Sequence, residues 1–167
     1  AHIALYKSDG AIVPGTDHEI LFNGKSTCTL LPGVLLLSDP VDMEVPPFAD
    51  LAISLYFPEK TGPPAEHRLG LHTAYISKGN AADQEVMPDP EKTFAYLWLA
   101  GLDVWTASDD FAVVALGDSI TDGFATTLDA NRAWPMLLAE RLNDTMGVRQ
   151  ISVINKGVSG NQVLRDG

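Results

Sequence analysis

One stretch constrains this chain more than any other: Ala112-Val113-Val114-Ala115-Leu116-Gly117-Asp118-Ser119-Ile120-Thr121-Asp122-Gly123. Its opening apolar run, with two valines, has the pattern of a buried strand in a parallel sheet covered on both faces. The run stops at Gly117, and a small polar turn carries Ser119 just past the strand end. In open α/β sheets ligands bind outside the carboxyl ends of the strands, which makes a serine presented there a candidate nucleophile. The competing reading is a plain Gly/Asp/Ser turn, since all three residue types favour turns.

The residues carboxyl-terminal to this turn extend the unit. Thr121–Arg132 reads as a polar loop. Trp134, Leu137, Leu138 and Leu142 then recur at helical spacing, with Glu140, Arg141 and Asn143 on the wet side. Pro135 fits the first turn of such a helix, where a missing N–H matters little, and Gly147 is expected to end it. Ile151–Ile154 predicts a second strand, and Asn155-Lys156-Gly157-Val158-Ser159-Gly160-Asn161 a second Gly-rich turn. Strand, helix and strand make a βαβ unit with a right-handed crossover and parallel strands. Both turns then face one edge of the sheet, within reach of one substrate. Acyl transfer by serine needs a hydroxyl, a base and donors aimed at the oxyanion. Ser119 can supply the hydroxyl and its own backbone N–H. Gly160 can bring up a second N–H unobstructed by a side chain, or can simply be a turn glycine with positive φ.

The residues before Asp109 read differently. Strands are expected at His18–Phe22, Ser26–Leu31, Val34–Leu37, Val41–Val45, Leu51–Phe57, Leu69–Ser77 and Phe94–Thr106, punctuated by Pro and Gly turns. Such spacing predicts an all-β sandwich or jelly-roll-like domain. Asn23-Gly24 is its best hairpin signal. Trp98 and Trp105 read as core residues, with a sugar-binding face as the alternative. Asp83–Glu91 reads as a surface loop. The composition changes character at residues 106–110, which sets the expected boundary: a β domain over 1–108 and an α/β domain over 109–167.

Composition removes several classes of function. A formal net charge of −11 is wrong for a nucleic-acid backbone partner. No apolar run approaches the roughly 18 residues needed to span a membrane. Cys28 is the only cysteine, so no internal disulfide forms, and its strand-like setting predicts a buried, inert thiol. The four histidines, His2, His18, His67 and His72, all precede Ser119 and form no metal-ligand spacing, so neither a metal nor a cofactor is expected. His72 reads as a satisfied strand residue rather than a pocket residue. Ala1–Tyr6 already reads as a strand, with no signal peptide, and a chain opening inside a strand is expected to continue upstream.

Gly117-Asp118-Ser119-Ile120-Thr121-Asp122-Gly123, together with Asn155-Lys156-Gly157-Val158-Ser159-Gly160-Asn161, resembles the SGNH/GDSL hydrolases. These are serine esterases and lipases on a flavodoxin-like three-layer α/β/α fold. The resemblance implies that Ser119 is the nucleophile and that Gly160 donates to the oxyanion hole with the Ser119 N–H. Ser38-Asp39-Pro40-Val41 and Ala49–Tyr56 resemble the accessory β domain of a secreted branch, which implies an extracellular protein. Two family blocks are missing: a Gly-x-Asn-Asp segment and a late Asp-x-x-His segment that supplies the base. The expectation is therefore an SGNH domain incomplete in this chain, with the catalytic His and Asp on a second polypeptide or a further carboxyl-terminal segment.

The reading that results is a serine esterase acting on small acyl or acetyl esters, carbohydrate esters among them, through an acyl-enzyme. Asp118 is expected to hold the Ser119 turn, and Asp122 and Asn161 to border the pocket or to be structural turn residues. The alternative is a carbohydrate-binding or interaction module with a catalytically dead α/β half. A third reading makes Asp118 and Asp122 the metal-binding acids of a phosphatase, with no other ligand cluster in support.

Overall fold

A computed structural model describes residues 1–106, 109–146 and 151–164. In chain order the strands are β1 (His2–Ser8), β2 (Ala11–Ile12), β3 (His18–Glu19), β4 (Leu51–Ser54), β5 (Glu66–His67), β6 (Ala74–Ile76), β7 (Glu91–Thr93), β8 (Tyr96–Leu97), β9 (Phe111–Gly117) and β10 (Ile151–Gly157). The helices are α1 (Ser119–Asp122) and α2 (Trp134–Glu140), and α2 runs on into a π-helical turn, Arg141–Thr145. Strands dominate and helices are few. Two compact units form: Ala1–Pro64 with Ala74–Thr93, and Ala65–Thr73 with Phe94–Gly167. The boundary expected at residue 108 falls at 107–108, which lie outside the described residues.

The first unit is built around β1. Its residues 2–5 pair antiparallel with β4, from His2 opposite Ser54 to Leu5 opposite Leu51, while β3 takes the other side, with Ile3 opposite His18. The strand then folds back on β2 through Asp9 and Gly10, both at positive φ (48° and 77°). With neighbours on both edges, Ile3 and Ala4 are buried, and Ile12, Ile20 and Ala81 complete the small core. β6 and β7 form a separate antiparallel ribbon. There the Tyr75 hydroxyl lies 3.2 Å from that of Tyr6, and the Lys92 ammonium lies 5.8 Å from the Tyr75 ring centroid. Asn23-Gly24 forms the expected tight turn, with φ of 54° and 73° and Phe22 bridged to Lys25, but the strands expected to flank it do not extend from it.

Three expected strands are absent. Ser26–Leu31, Val34–Leu37 and Val41–Val45 take no regular structure, and Leu31, Leu35 and Leu37 are exposed. Pro32, Pro40, Pro46 and Pro47 remove ladder donors at the ends of these runs, so each is left short and without a partner. Cys28 is consequently exposed rather than buried. The long strand expected over Phe94–Thr106 shrinks to β8, and Trp105 is 93% exposed rather than a core residue.

In the second unit β9 and β10 run parallel in strict register from Phe111 opposite Ile151 to Gly117 opposite Gly157. This is the βαβ pair expected from the sequence, with β10 three residues longer than Ile151–Ile154. α2 packs on β10 and α1 on both strands. Pro135 sits in the first turn of α2 and is fully buried. Gly147 lies outside the described residues. The Asn143 side chain donates to Ala139 O (2.8 Å) and Ile151 O (3.2 Å), tying the π-helical turn to the start of β10. The expected burial of β9 does not occur: only Ala115 is buried, because two strands and two short helices cannot cover both faces. Among the described residues no helix is long and apolar enough to cross a membrane.

Candidate functional site

The site begins where β9 ends. Asp118 is the N-cap of α1, its carboxylate accepting from Ile120 N at 3.0 Å. That bond satisfies one donor the short helix cannot satisfy internally and fixes the turn on which Ser119 is the first residue. Gly123 N closes the turn on Ser119 O at 2.9 Å. Ser119 is half-buried, and among the described residues its hydroxyl has no hydrogen-bond partner.

The second turn comes after β10. Val158 N donates to Gly117 O (3.0 Å), extending the ladder one step beyond the strands. Ser159 and Gly160 come next, Gly160 at φ 88°, a conformation in which a side chain is strained. Asn161 turns back through its N–H to Val158 O, and its carboxamide accepts locally from Gln162 N. Asn161 is exposed, and both of these hydrogen bonds stay within its own turn rather than reaching the Ser119 turn.

Two glycines in register allow α1 to lie directly on the strand ends. A Cβ on Gly117 would collide with the Thr121 side chain, and one on Gly157 with the Asp122 backbone. Asn155 reinforces this approach: its Nδ2 donates to Thr121 O (2.8 Å) and Asp122 O (3.3 Å), while its Oδ1 accepts from Gly157 N (2.9 Å). Thr121 is buried and its hydroxyl accepts from Trp134 Nε1 at 3.3 Å.

Asp122 is buried, and its carboxylate has two partners. Oδ1 accepts from His67 Nε2 at 2.9 Å, and Oδ2 accepts from Ser159 Oγ at 2.9 Å. His67 lies on β5, paired with Tyr96 of β8, and its ring meets the Tyr96 ring edge-on with centroids 6.1 Å apart. Sequence reasoning set all four histidines apart from the serine; the structure places His67 and His72 in the same compact unit as Ser119. His72 Nε2 lies 2.8 Å from Asn131 Oδ1, so the residue is satisfied as expected, but it lies before β6 rather than in the strand expected over Leu69–Ser77. The acids of the phosphatase reading are both engaged by protein groups, Asp118 as a cap and Asp122 by His67 and Ser159. Among the described residues no group of three His, Cys, Asp or Glu side chains could hold a metal. Away from the site, the exposed Arg68 guanidinium has its pKa raised by its hydrogen bond to Glu66 and by that carboxylate's charge.

Sequence reasoning missed three contributors: His67, Asn155 as a strand residue, and the Ser159 hydroxyl. Asn155 and Ser159 sit inside the second turn motif, and for Asn155 the polarity within the strand Ile151–Gly157 was the signal to be read. His67 carries none, being 55 residues from its partner.

Residues 113–166 match the family of GDSL-like lipases and acylhydrolases. This segment is similar to the GDSL family. The match begins within β9 and takes in both the Ser119 and the Gly160 turn. None of the curated proteins matches the chain.

Proposed function

We propose that this chain is the larger part of a serine esterase hydrolysing small acyl or acetyl esters, carbohydrate esters among them. The observation that carries the reading is the parallel register of Gly117 with Gly157 inside a GDSL-like segment, which puts the Ser119 and Gly160 turns on one edge of the sheet. Ser119 Oγ attacks the ester carbonyl and its proton passes to a base. The backbone N–H groups of Ser119 and Gly160 hold the oxyanion, and the alkoxide leaves protonated. Water then attacks the acyl-Ser119 ester, releasing the acid and restoring the hydroxyl.

The base is a histidine, oriented by an aspartate, on residues outside these 167, either a second polypeptide or a further segment of the chain. The exposed apolar side chains of β9 and β10 support this: Phe111, Val114, Leu116 and Ile154 form faces that further strands and helices of a flavodoxin-like three-layer domain would cover. The β-rich first unit is read as an accessory sandwich or jelly-roll-like domain, the chain as extracellular, and Asp122 and Asn161 as residues bordering the pocket.

Fluorophosphonate labelling of the whole protein, read by peptide mass spectrometry, tests the reading. Modification at Ser119, with hydrolysis of p-nitrophenyl acetate falling on the order of 10³–10⁶-fold in Ser119→Ala, is the expected result. An unlabelled Ser119 in a protein that binds glycans would replace the esterase with a carbohydrate-binding module.

A further inference from the structure

Past Val158 the ladder between β9 and β10 ends, and Ser159 and Gly160 stand beyond it as exposed residues. Backbone pairing therefore sets the position of the second turn only up to its first residue. The next hold is a side chain: Ser159 Oγ on Asp122 Oδ2 at 2.9 Å. Asp122 is in turn fixed more firmly than most carboxylates. It is buried, its N–H is bonded to Asp118 O (2.9 Å), and Asn155 holds its carbonyl. It also shares one helical turn with Ser119, whose carbonyl accepts from the next residue, Gly123. On the far side His67 Nε2 donates to the same carboxylate, using both nearby oxygens (2.9 and 3.2 Å). Since a carboxylate only accepts, His67 must carry its proton on Nε2 here.

We propose that Asp122 is a positioning residue that clamps the Gly160 turn to the Ser119 turn through Ser159, with His67 holding the clamp's carboxylate in place. The inference rests on the esterase reading. The physical reason is that an oxyanion donor acts only when held at hydrogen-bond distance from where the charge develops. A displacement of about 1 Å at a reacting centre can cost about 100-fold in rate. Gly160 has no side chain with which to secure itself, so its neighbour does so. The buried Asp122 carboxylate needs hydrogen-bond donors in any case, and His67 and Ser159 supply them from two different segments.

The side-chain tie can be cut on the exposed side without touching the buried one. In the whole protein, Ser159→Ala is expected to lower kcat for p-nitrophenyl acetate about 10–100-fold with KM within about twofold. Ser159→Thr, which keeps the hydroxyl, is expected to regain most of that loss. His67→Ala is expected to lower kcat by a similar factor, and His67→Gln, which keeps an N–H donor at comparable reach, to recover it. The proposal is overturned if Ser159→Ala turns over like the parent protein while Ser119→Ala is inactive; that result leaves the esterase reading standing. It is also overturned if His67→Gln is as inactive as Ser119→Ala, since His67 would then be the proton acceptor itself. Activity retained in Ser119→Ala would instead sink the esterase reading.

Discussion

β1 and β9 are each seven residues long, and the less apolar of the two is the better buried. His2–Ser8 carries a histidine, a lysine and a serine, yet Ile3 and Ala4 are 7% and 2% exposed. Phe111–Gly117 is apolar throughout, yet Leu116 is 77% exposed. The difference is in neighbours. β1 has antiparallel partners on both edges, whereas β9 has one parallel partner and the short helix α1. Burial is a property of the assembled layers, and an apolar strand exposes whatever its own unit does not cover.

That contrast can be broken by mutation. The largest effect is expected at Ile3→Ala, where a buried side chain between two paired strands leaves a cavity. Chemical denaturation should show a loss of about 3 kcal/mol. A loss below about 1 kcal/mol would mean that the β1 core is no better packed than β9. Next comes Gly157→Ala, in the exposed strand pair but at one of its two tight contacts with α1. The new methyl meets the Asp122 backbone, which cannot rotate away as a side chain could, and about 2 kcal/mol should be lost. A neutral result would show that α1 can lift off the strand ends. Smallest is Leu116→Ser, which should stay within about 0.5 kcal/mol in these 167 residues. A cost of 2 kcal/mol or more there would show that the β9 face is covered, and would erase the contrast with β1.

The parts of the fold that could be read from the chain are those determined by short-range pattern. The helix expected from Trp134, the Asn23-Gly24 turn and the Asp118 cap each depend on residues within a few positions, and each formed. Ser26–Val45 failed for the complementary reason. Its apolar runs satisfy a strand pattern, but a strand needs a partner, and the prolines between the runs deny one. The same limit applied at the site. Ser119 and Gly160 stood out because their turns interrupt apolar strands, whereas His67 sits between Glu66 and Arg68 in a stretch with nothing to mark it.

Sequence alone therefore determined the GDSL-like segment: two strands, a helix between them, and a serine and a glycine placed just past the two strand ends. It could do so because parallel pairing across a short crossover leaves essentially one arrangement. Tertiary structure decided how those turns are held together. The Asp122 carboxylate draws one donor from β5 and another from the turn after β10, 55 and 37 residues away. No local pattern encodes that meeting. It comes from Gly117 and Gly157 letting α1 settle onto the strand ends, which buries a carboxylate that must then find its hydrogen bonds wherever the fold brings them.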